Sequence, residues 1–368
     1  MNATQQLHEL GQSLWLDNIT RGLLASGTLQ RYLRDFDVTG LTSNPTIFDN
    51  AIRNTNFYDK AIQEKATAGK LGEALFFDLA LEDLIQAADL FRPSHEATAG
   101  MDGWVSLEVS PLLANDAAAT VREAAQLHAR AARPNLFIKI PGTPAGIIAI
   151  EESIFAGVPV NVTLLFSREQ YVAAAGAYMR GIERRIAAGR DPKVGSVASI
   201  FISRWDVAVK DQVPQALHNR LGIAIAQRTY RAYRELLVSS RWRTLANAGA
   251  EPQRLLWAST GTKDPAAPDT LYLEALAAPD TINTIPEKTL LAFADHGVVN
   301  TAMAADGGDA EEVLAAFEQA GVDEAALATL LQREGAESFS KSWSDLMAVI
   351  AIKSAALVKS QPDGGAQS

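Results

Sequence analysis

The chain contains no cysteine. That excludes disulfides, a thiolate nucleophile and cysteine-ligated zinc or iron–sulfur centres. No run approaches the roughly 18 apolar residues of a membrane span. The opening residues Met1 to His8 show no basic stretch followed by an apolar core, so a cytoplasmic protein with no membrane partner is the expectation. No Gly-x-Ser-x-Gly elbow occurs, and no glycine-rich phosphate loop follows the first strand-like run, which argues against a serine hydrolase and an open dinucleotide-binding sheet. The five histidines, His8, His95, His128, His218 and His296, are scattered and none ends a strand-like run, so neither a metal centre nor a metal cofactor is expected. A net charge of -10 argues against a nucleic-acid partner, yet a local basic pocket could still hold a phosphate.

What the chain has is enough apolar sequence for a large core. At 368 residues, 48% hydrophobic and 21% charged, it is long for one ordinary domain and suits a decorated barrel. Strand-like runs span Leu14 to Asp17, Val38 to Thr42, Trp104 to Val109, Leu136 to Ile140, Val158 to Thr163, Val194 to Ile200, Leu255 to Ser259 and Thr281 to Ile285. Between them lie helical patterns rich in alanine and leucine, including Leu71 to Phe91, Asp116 to Arg130, Arg168 to Ala188 and Ile223 to Leu237. Strands that alternate with helices imply parallel neighbours joined by crossovers. Eight such units predict an α/β fold: a single (β/α)8 TIM barrel over residues 1–360, with additional helices and a frayed tail at 361–368. The additional helices fall at Ala51 to Phe91 and beyond Pro286. The last long one, Ser338 to Lys359, is placed either over one end of the barrel as a lid or along its side. A homo-oligomer is compatible with this sequence, as is a monomer.

Side chains at the C-terminal ends of parallel barrel strands converge on one mouth. In Asn135-Leu136-Phe137-Ile138-Lys139-Ile140-Pro141, alternation places Phe137 and Lys139 on one face and Leu136, Ile138 and Ile140 on the other. Burial favours a lysine's neutral form, and a neutral amine attacks carbonyl carbon to form a Schiff base. Trp15 and Asp17 share a face of the first run, and Ser106 and Glu108 share one in the third. Asn161 and Thr163 stand opposite Val160, Val162 and Leu164 in the fifth. Ser199 ends the sixth, with Arg204 five residues on, and Ser259 ends the seventh, with Lys263 four residues on.

Taken singly, each residue has an ordinary role. Lys139 could snorkel to water, Asp17 could cap a helix, Asn44 could make an Asx turn before Pro45, and Glu108 could join a surface ion pair. Together they place two carboxylates, a lysine, two asparagines and several hydroxyls on one rim, which such roles explain poorly.

The segments Thr42-Ser43-Asn44-Pro45-Thr46, Leu136-Phe137-Ile138-Lys139-Ile140-Pro141, Asn161-Val162-Thr163-Leu164-Leu165-Phe166-Ser167 and Trp257-Ala258-Ser259-Thr260 resemble, in order, the signatures of the transaldolase family. The resemblance runs from the Asp17 segment to Thr284-Ile285-Pro286-Glu287-Lys288-Thr289. It implies a metal-free, class I aldolase-type barrel that uses no cofactor and whose Schiff-base lysine lies on the fourth strand, where Lys139 falls. It also implies transfer of a dihydroxyacetone unit from sedoheptulose 7-phosphate to glyceraldehyde 3-phosphate in the pentose phosphate pathway.

Carried over residue by residue, the resemblance makes Lys139 the imine-forming group and gives Glu108 and Thr163 the water that relays protons. Asp17 becomes the base for the C4 hydroxyl. Asn44, Asn161 and Ser199 become ligands of the dihydroxyacetone moiety. Arg204 is a fixed cation suited to a sugar phosphate, with Ser259 and Lys263 beside it. Many relatives carry Phe-Arg after the Ala-Ser of the seventh strand, whereas this chain has Ala258-Ser259-Thr260-Gly261-Thr262-Lys263. A fructose-6-phosphate aldolase on the same barrel is the nearest alternative, although such relatives are much shorter and carry glutamine at the Glu108 position. A noncatalytic sugar-phosphate-binding barrel is another alternative, against which the set Lys139, Glu108 and Asp17 speaks.

Overall fold

The computed structural model describes residues 2–359, so the expected tail at 361–368 lies outside the described residues. Eight strands, β1 (Ser13–Leu16), β2 (Val38–Leu41), β3 (Val105–Glu108), β4 (Leu136–Pro141), β5 (Val160–Leu165), β6 (Ser196–Phe201), β7 (Arg254–Ala258) and β8 (Thr281–Ile285), follow one another through helical crossovers. Each pairs in parallel with the next, and β8 pairs with β1, closing the barrel. The expected strands and the (β/α)8 architecture are therefore present, with strand ends shifted by at most two residues.

Period-two alternation sorts the side chains. Trp15, Phe137, Val197, Leu256 and Ile282 pack together inside the barrel. Their neighbours Leu14, Leu136, Ile138, Val160, Ile200 and Leu255 join the larger core beneath the helices. Trp104 stacks on Phe137 with ring centroids 3.9 Å apart. Where β2 passes these rings, a Cβ at Gly40 would lie 2.7 Å from both Trp15 Nε1 and the Trp104 carbonyl oxygen. The close approach therefore requires glycine.

Alternation fails within β5. Leu164 was expected on the outer face with Val160 and Val162, but the β5–β6 register shifts between Val162 and Leu165. Leu164 adopts φ +57° and joins the cluster that contains Phe166 and Phe201. An irregularity of this kind bends the strand and re-aims the side chain, which period-two counting does not anticipate.

The C-terminal helix is also longer than expected, running from Glu324 to Lys359. Ala328, Leu331, Gly335 and Phe339 form one continuous buried stripe along it. Gln332 Nε2 donates to the carbonyl oxygens of Gly142 (3.0 Å) and Leu164 (2.9 Å), just after β4 and within β5. Of the two expected placements, the helix takes the one over the barrel end, then continues along the helices Pro45–Asn54 and Asp59–Thr67. There Trp343 packs edge-on against Phe76, with centroids 5.0 Å apart, and donates to Glu73 Oε1 at 2.9 Å. Lys353 Nζ reaches the Thr55 carbonyl oxygen and Asp59 Oδ1, each at 2.7 Å.

Trp343 thus ties the mouth-covering helix to the barrel. Trp343→Ala should lower the unfolding free energy by about 3–5 kcal/mol through lost burial and the cavity it leaves. Urea unfolding of both proteins measures this, and a loss below about 1 kcal/mol would mean that the helix is held elsewhere.

Candidate active site

The site is built on strand register. Glu108 of β3 lies beside Lys139 of β4, and Lys139 lies beside Asn161 of β5, so the three side chains share the inner face. Lys139 is only 5% exposed. Its Nζ donates to the Ser43 carbonyl oxygen at 2.9 Å and lies 3.2 Å from Glu108 Oε2. Glu108 Oε2 and Thr163 Oγ1 are both buried with no hydrogen-bond partner of good geometry among the described residues.

Asp17 enters from the other side of the barrel, one residue beyond β1. Its backbone N–H donates to the Ile285 carbonyl oxygen at 2.7 Å, and its Oδ1 accepts from Thr42 Oγ1 at 2.8 Å. Thr42 and Thr284 hydroxyls are 2.7 Å apart. With Thr42's single proton directed at Asp17, Thr284 donates to Thr42, and the three form a chain from β8 through β2 to the carboxylate. Asn44 caps the helix Pro45–Asn54 by accepting from the Ile47 N–H at 3.1 Å, so the ordinary role considered for it is real. It also lines the cavity.

That cavity, of about 140 Å³, opens at the C-terminal mouth. Asp17, Asn44, Lys139, Thr163 and Ser199 line it near the lysine, with Arg204, Ser259 and Lys263 on its walls as well. Eight of the ten expected site residues therefore meet around one space. Glu108 and Asn161 are not on its wall. The Asn161 amide is engaged at both ends, donating to Ser106 Oγ (3.1 Å) and accepting from Ser199 Oγ (2.7 Å). It reaches the cavity through Ser199.

Comparison with known proteins points the same way. Residues 14–350 match the model of the transaldolase/fructose-6-phosphate aldolase family. A transaldolase of Arthrobacter sp. (strain FB24) is 44% identical over 353 residues, covering 94% of this chain and 95% of the relative. One from Thermobifida fusca (strain YX) is 44% identical over 361 residues, covering 96% and 98%. One from Parafrankia sp. (strain EAN1pec) is 44% identical over 354 residues, covering 94% and 96%. The chain belongs to the transaldolase/fructose-6-phosphate aldolase family. It is an enzyme family that acts on sugar phosphates, in agreement with the resemblance read from the motifs. Among the described residues, no helix is long and apolar enough to cross a membrane.

In this transaldolase-family barrel, burial sets the electrostatics. It pushes both carboxyls up from the ordinary carboxylate range. At Asp17, Lys139, the Thr42 hydrogen bond and Lys263 oppose the rise. At Glu108, Lys139 opposes it while Asp17 adds to it. Carboxyls raised by burial hold a proton more readily than ordinary ones, which suits groups that pass protons to and from substrate. Arg204 is half-buried and has no carboxylate within 4 Å among the described residues, whereas Lys263 is exposed. Burial lowers the Arg204 pKa against the opposing pull of Glu108 and Glu334. Ser259 adopts φ +56° and its hydroxyl lies 2.9 Å from that of Ser203.

The wall residues that sequence reasoning missed include Thr42, Thr284, Phe201 and Phe339. Thr42 and Thr284 stand at strand ends within the quoted segments, and that position was their available signal. Phe339 had none, because its place depends on where the C-terminal helix lies.

Two residues after Arg204, Asp206 holds its short helix in place. It accepts from the Leu221 (2.9 Å) and Gly222 (3.2 Å) N–H groups and from the Tyr272 hydroxyl (2.8 Å). Burial raises its pKa to about 6, with those three hydrogen bonds opposing. Because the folded state holds this proton more tightly than the unfolded chain, Asp206 contributes most stability below pH 4 and loses it as pH rises through about 6. Comparing wild type with Asp206→Asn by unfolding at pH 4 and pH 7, the wild-type advantage should shrink by roughly 3 kcal/mol. A pH-independent difference would contradict the assignment.

Proposed function

We propose that the protein is a transaldolase acting through a Lys139 Schiff base, with residues 1–360 as one catalytic domain working in the cytoplasm. It transfers a dihydroxyacetone unit from sedoheptulose 7-phosphate to glyceraldehyde 3-phosphate, giving erythrose 4-phosphate and fructose 6-phosphate, a step of the pentose phosphate pathway. The observation that carries this reading is the buried Lys139 amine 3.2 Å from Glu108, in a cavity that Asp17 also lines. Relatives named transaldolase, aligned over nearly the whole chain, support it.

The neutral Lys139 amine attacks the C2 carbonyl carbon of the ketose phosphate to give a carbinolamine. Glu108, whose Oε2 lies 3.2 Å from the amine, and Thr163, whose buried hydroxyl has no hydrogen-bond partner among the described residues, relay through a water the proton that lets the C2 hydroxyl leave as water. The resulting iminium is the electron sink. Asp17 takes the C4 hydroxyl proton, the C3–C4 bonding pair moves into the iminium to form an enamine, and erythrose 4-phosphate departs. The enamine then attacks the aldehyde carbon of glyceraldehyde 3-phosphate, and Asp17 returns its proton to the new C4 alkoxide. Hydrolysis of the imine releases fructose 6-phosphate and restores the amine. Asn44 and Ser199 hold the dihydroxyacetone end, with Asn161 acting on it through the Ser199 hydroxyl, and Arg204, with Ser259 and Lys263, holds the phosphate.

Borohydride added after fructose 6-phosphate should leave a three-carbon adduct on Lys139, located by peptide mass mapping, and erythrose 4-phosphate added before the borohydride should prevent it. Release of free dihydroxyacetone from the unreduced intermediate without an acceptor would point to the aldolase reaction, and no adduct on any lysine to a noncatalytic barrel. Lys139→Ala should abolish turnover without unfolding the protein.

Asp17→Asn should lower kcat by about 10²–10⁴. Asp17 must be ionised to accept the proton, and burial raises its pKa, so wild-type activity should fall on the acid side at a pH above that of an ordinary aspartate. A pH–rate profile flat down to the ordinary aspartate range would remove Asp17 from the role of base.

A further inference from the structure

The inward face of the C-terminal helix carries Gln332, Gly335 and Phe339, spaced by three and four residues and so aligned on one side. Gln332 fastens that face to the mouth through two backbone carbonyls. Phe339, 6% exposed, forms part of the cavity wall. Gly335 marks the point where the helix backbone passes Arg204. A Cβ there would lie 3.1 Å from Arg204 Nη1 and 2.9 Å from Leu164 Cδ2. Glycine is a poor residue inside a helix, so its presence here has a packing cause, and this close approach supplies one.

Among the described residues, Arg204 has no carboxylate within 4 Å to aim it. Its guanidinium carbon lies 5.0 Å from the Phe201 ring centroid and 5.9 Å from that of Phe339. Two aromatic rings and the bare helix backbone at Gly335 therefore define its direction. A long side chain that is free in solution loses considerable rotamer entropy when ordered, and confinement before substrate arrives removes that cost from binding.

We propose that Gly335 and Phe339 are positioning residues that hold Arg204 for the phosphate of the acceptor and thereby set the preference for phosphorylated over unphosphorylated aldehydes. The inference rests on Arg204 being the phosphate-binding cation of the proposed transfer. The C-terminal helix is then part of the specificity apparatus as well as a cover. In Gly335→Ala the methyl group pushes against both Leu164 Cδ2 and the Arg204 tip, which gives way by a few tenths of an ångström, while alanine itself favours the helix.

The test compares glyceraldehyde 3-phosphate with D-glyceraldehyde as acceptors, with sedoheptulose 7-phosphate as donor, so that the donor half-reaction releases erythrose 4-phosphate and not the acceptor itself. In a two-step transfer through a covalent intermediate, kcat/KM for the acceptor reports the second half-reaction alone. Gly335→Ala should lower kcat/KM for the phosphorylated acceptor by about tenfold, with the value for D-glyceraldehyde held within about twofold. Phe339→Leu, which keeps an apolar side chain in the wall, should shift the ratio in the same direction. Equal losses with both acceptors, or no loss, would overturn the proposal. Borohydride trapping on Lys139 is run in parallel. An adduct with an unchanged acceptor ratio refutes the positioning role alone, and a wild-type enzyme without an adduct removes the functional reading on which it rests.

Discussion

The burial of the Lys139 amine inside a closed barrel is the constraint on which the other features of the site depend. An amine at this depth is separated from bulk water, and its immediate polar surroundings are the Ser43 carbonyl oxygen and Glu108. Taking a charged group from water is expensive unless hydrogen bonds and an opposite charge meet it. Each of those partners comes from a different strand or strand end, so the arrangement exists only once β2, β3 and β4 stand in register. The same enclosure raises both nearby carboxyls, which would be ordinary acids on the surface. One structural fact, burial inside the upper barrel, thus sets the environment of the two carboxyls beside the amine.

Enclosure comes partly from outside the barrel. A bare (β/α)8 mouth is open to solvent, and here the C-terminal helix crosses it, fastened by Gln332 at one end and by Trp343 and Lys353 further along. The opposite end is closed by Trp15, Trp104 and Phe137, with Asp102 accepting hydrogen bonds from Trp15 Nε1 and Thr39 Oγ1, both at 2.8 Å, and from Ser13. The two ends differ in chemistry. The lower layer is aromatic and tied to one buried carboxylate, while the upper layer is polar and leaves a cavity. Stability and reactivity are therefore assigned to opposite ends of the same strands, as expected for this architecture.

Much of this was legible in the residues. Lys139 and Phe137 were expected on one face of one strand, and they are, because alternation along a strand is local and survives any tertiary context that keeps it straight. The gathering of Asp17, Asn44, Thr163, Ser199, Arg204, Ser259 and Lys263 about Lys139 followed from the rule that parallel strands share a C-terminal mouth. Leu164 was misplaced where the strand is irregular. Asn161 was expected at the substrate, and no local pattern shows that Ser106 and Ser199, from strands on either side, engage its amide.

The amino-acid sequence by itself determined the order of the strands, the residue each presents inward and the presence of one amine among apolar neighbours. These depend on periodicity and residue type along a few consecutive positions. Only the tertiary structure decided how far the C-terminal helix extends, that Phe339 and Gly335 meet Arg204, that Thr284 reaches Asp17 through Thr42, and that burial outweighs the attraction of Lys139 at both carboxyls. Each of these depends on groups far apart in the chain, whose distances are undefined until the barrel closes.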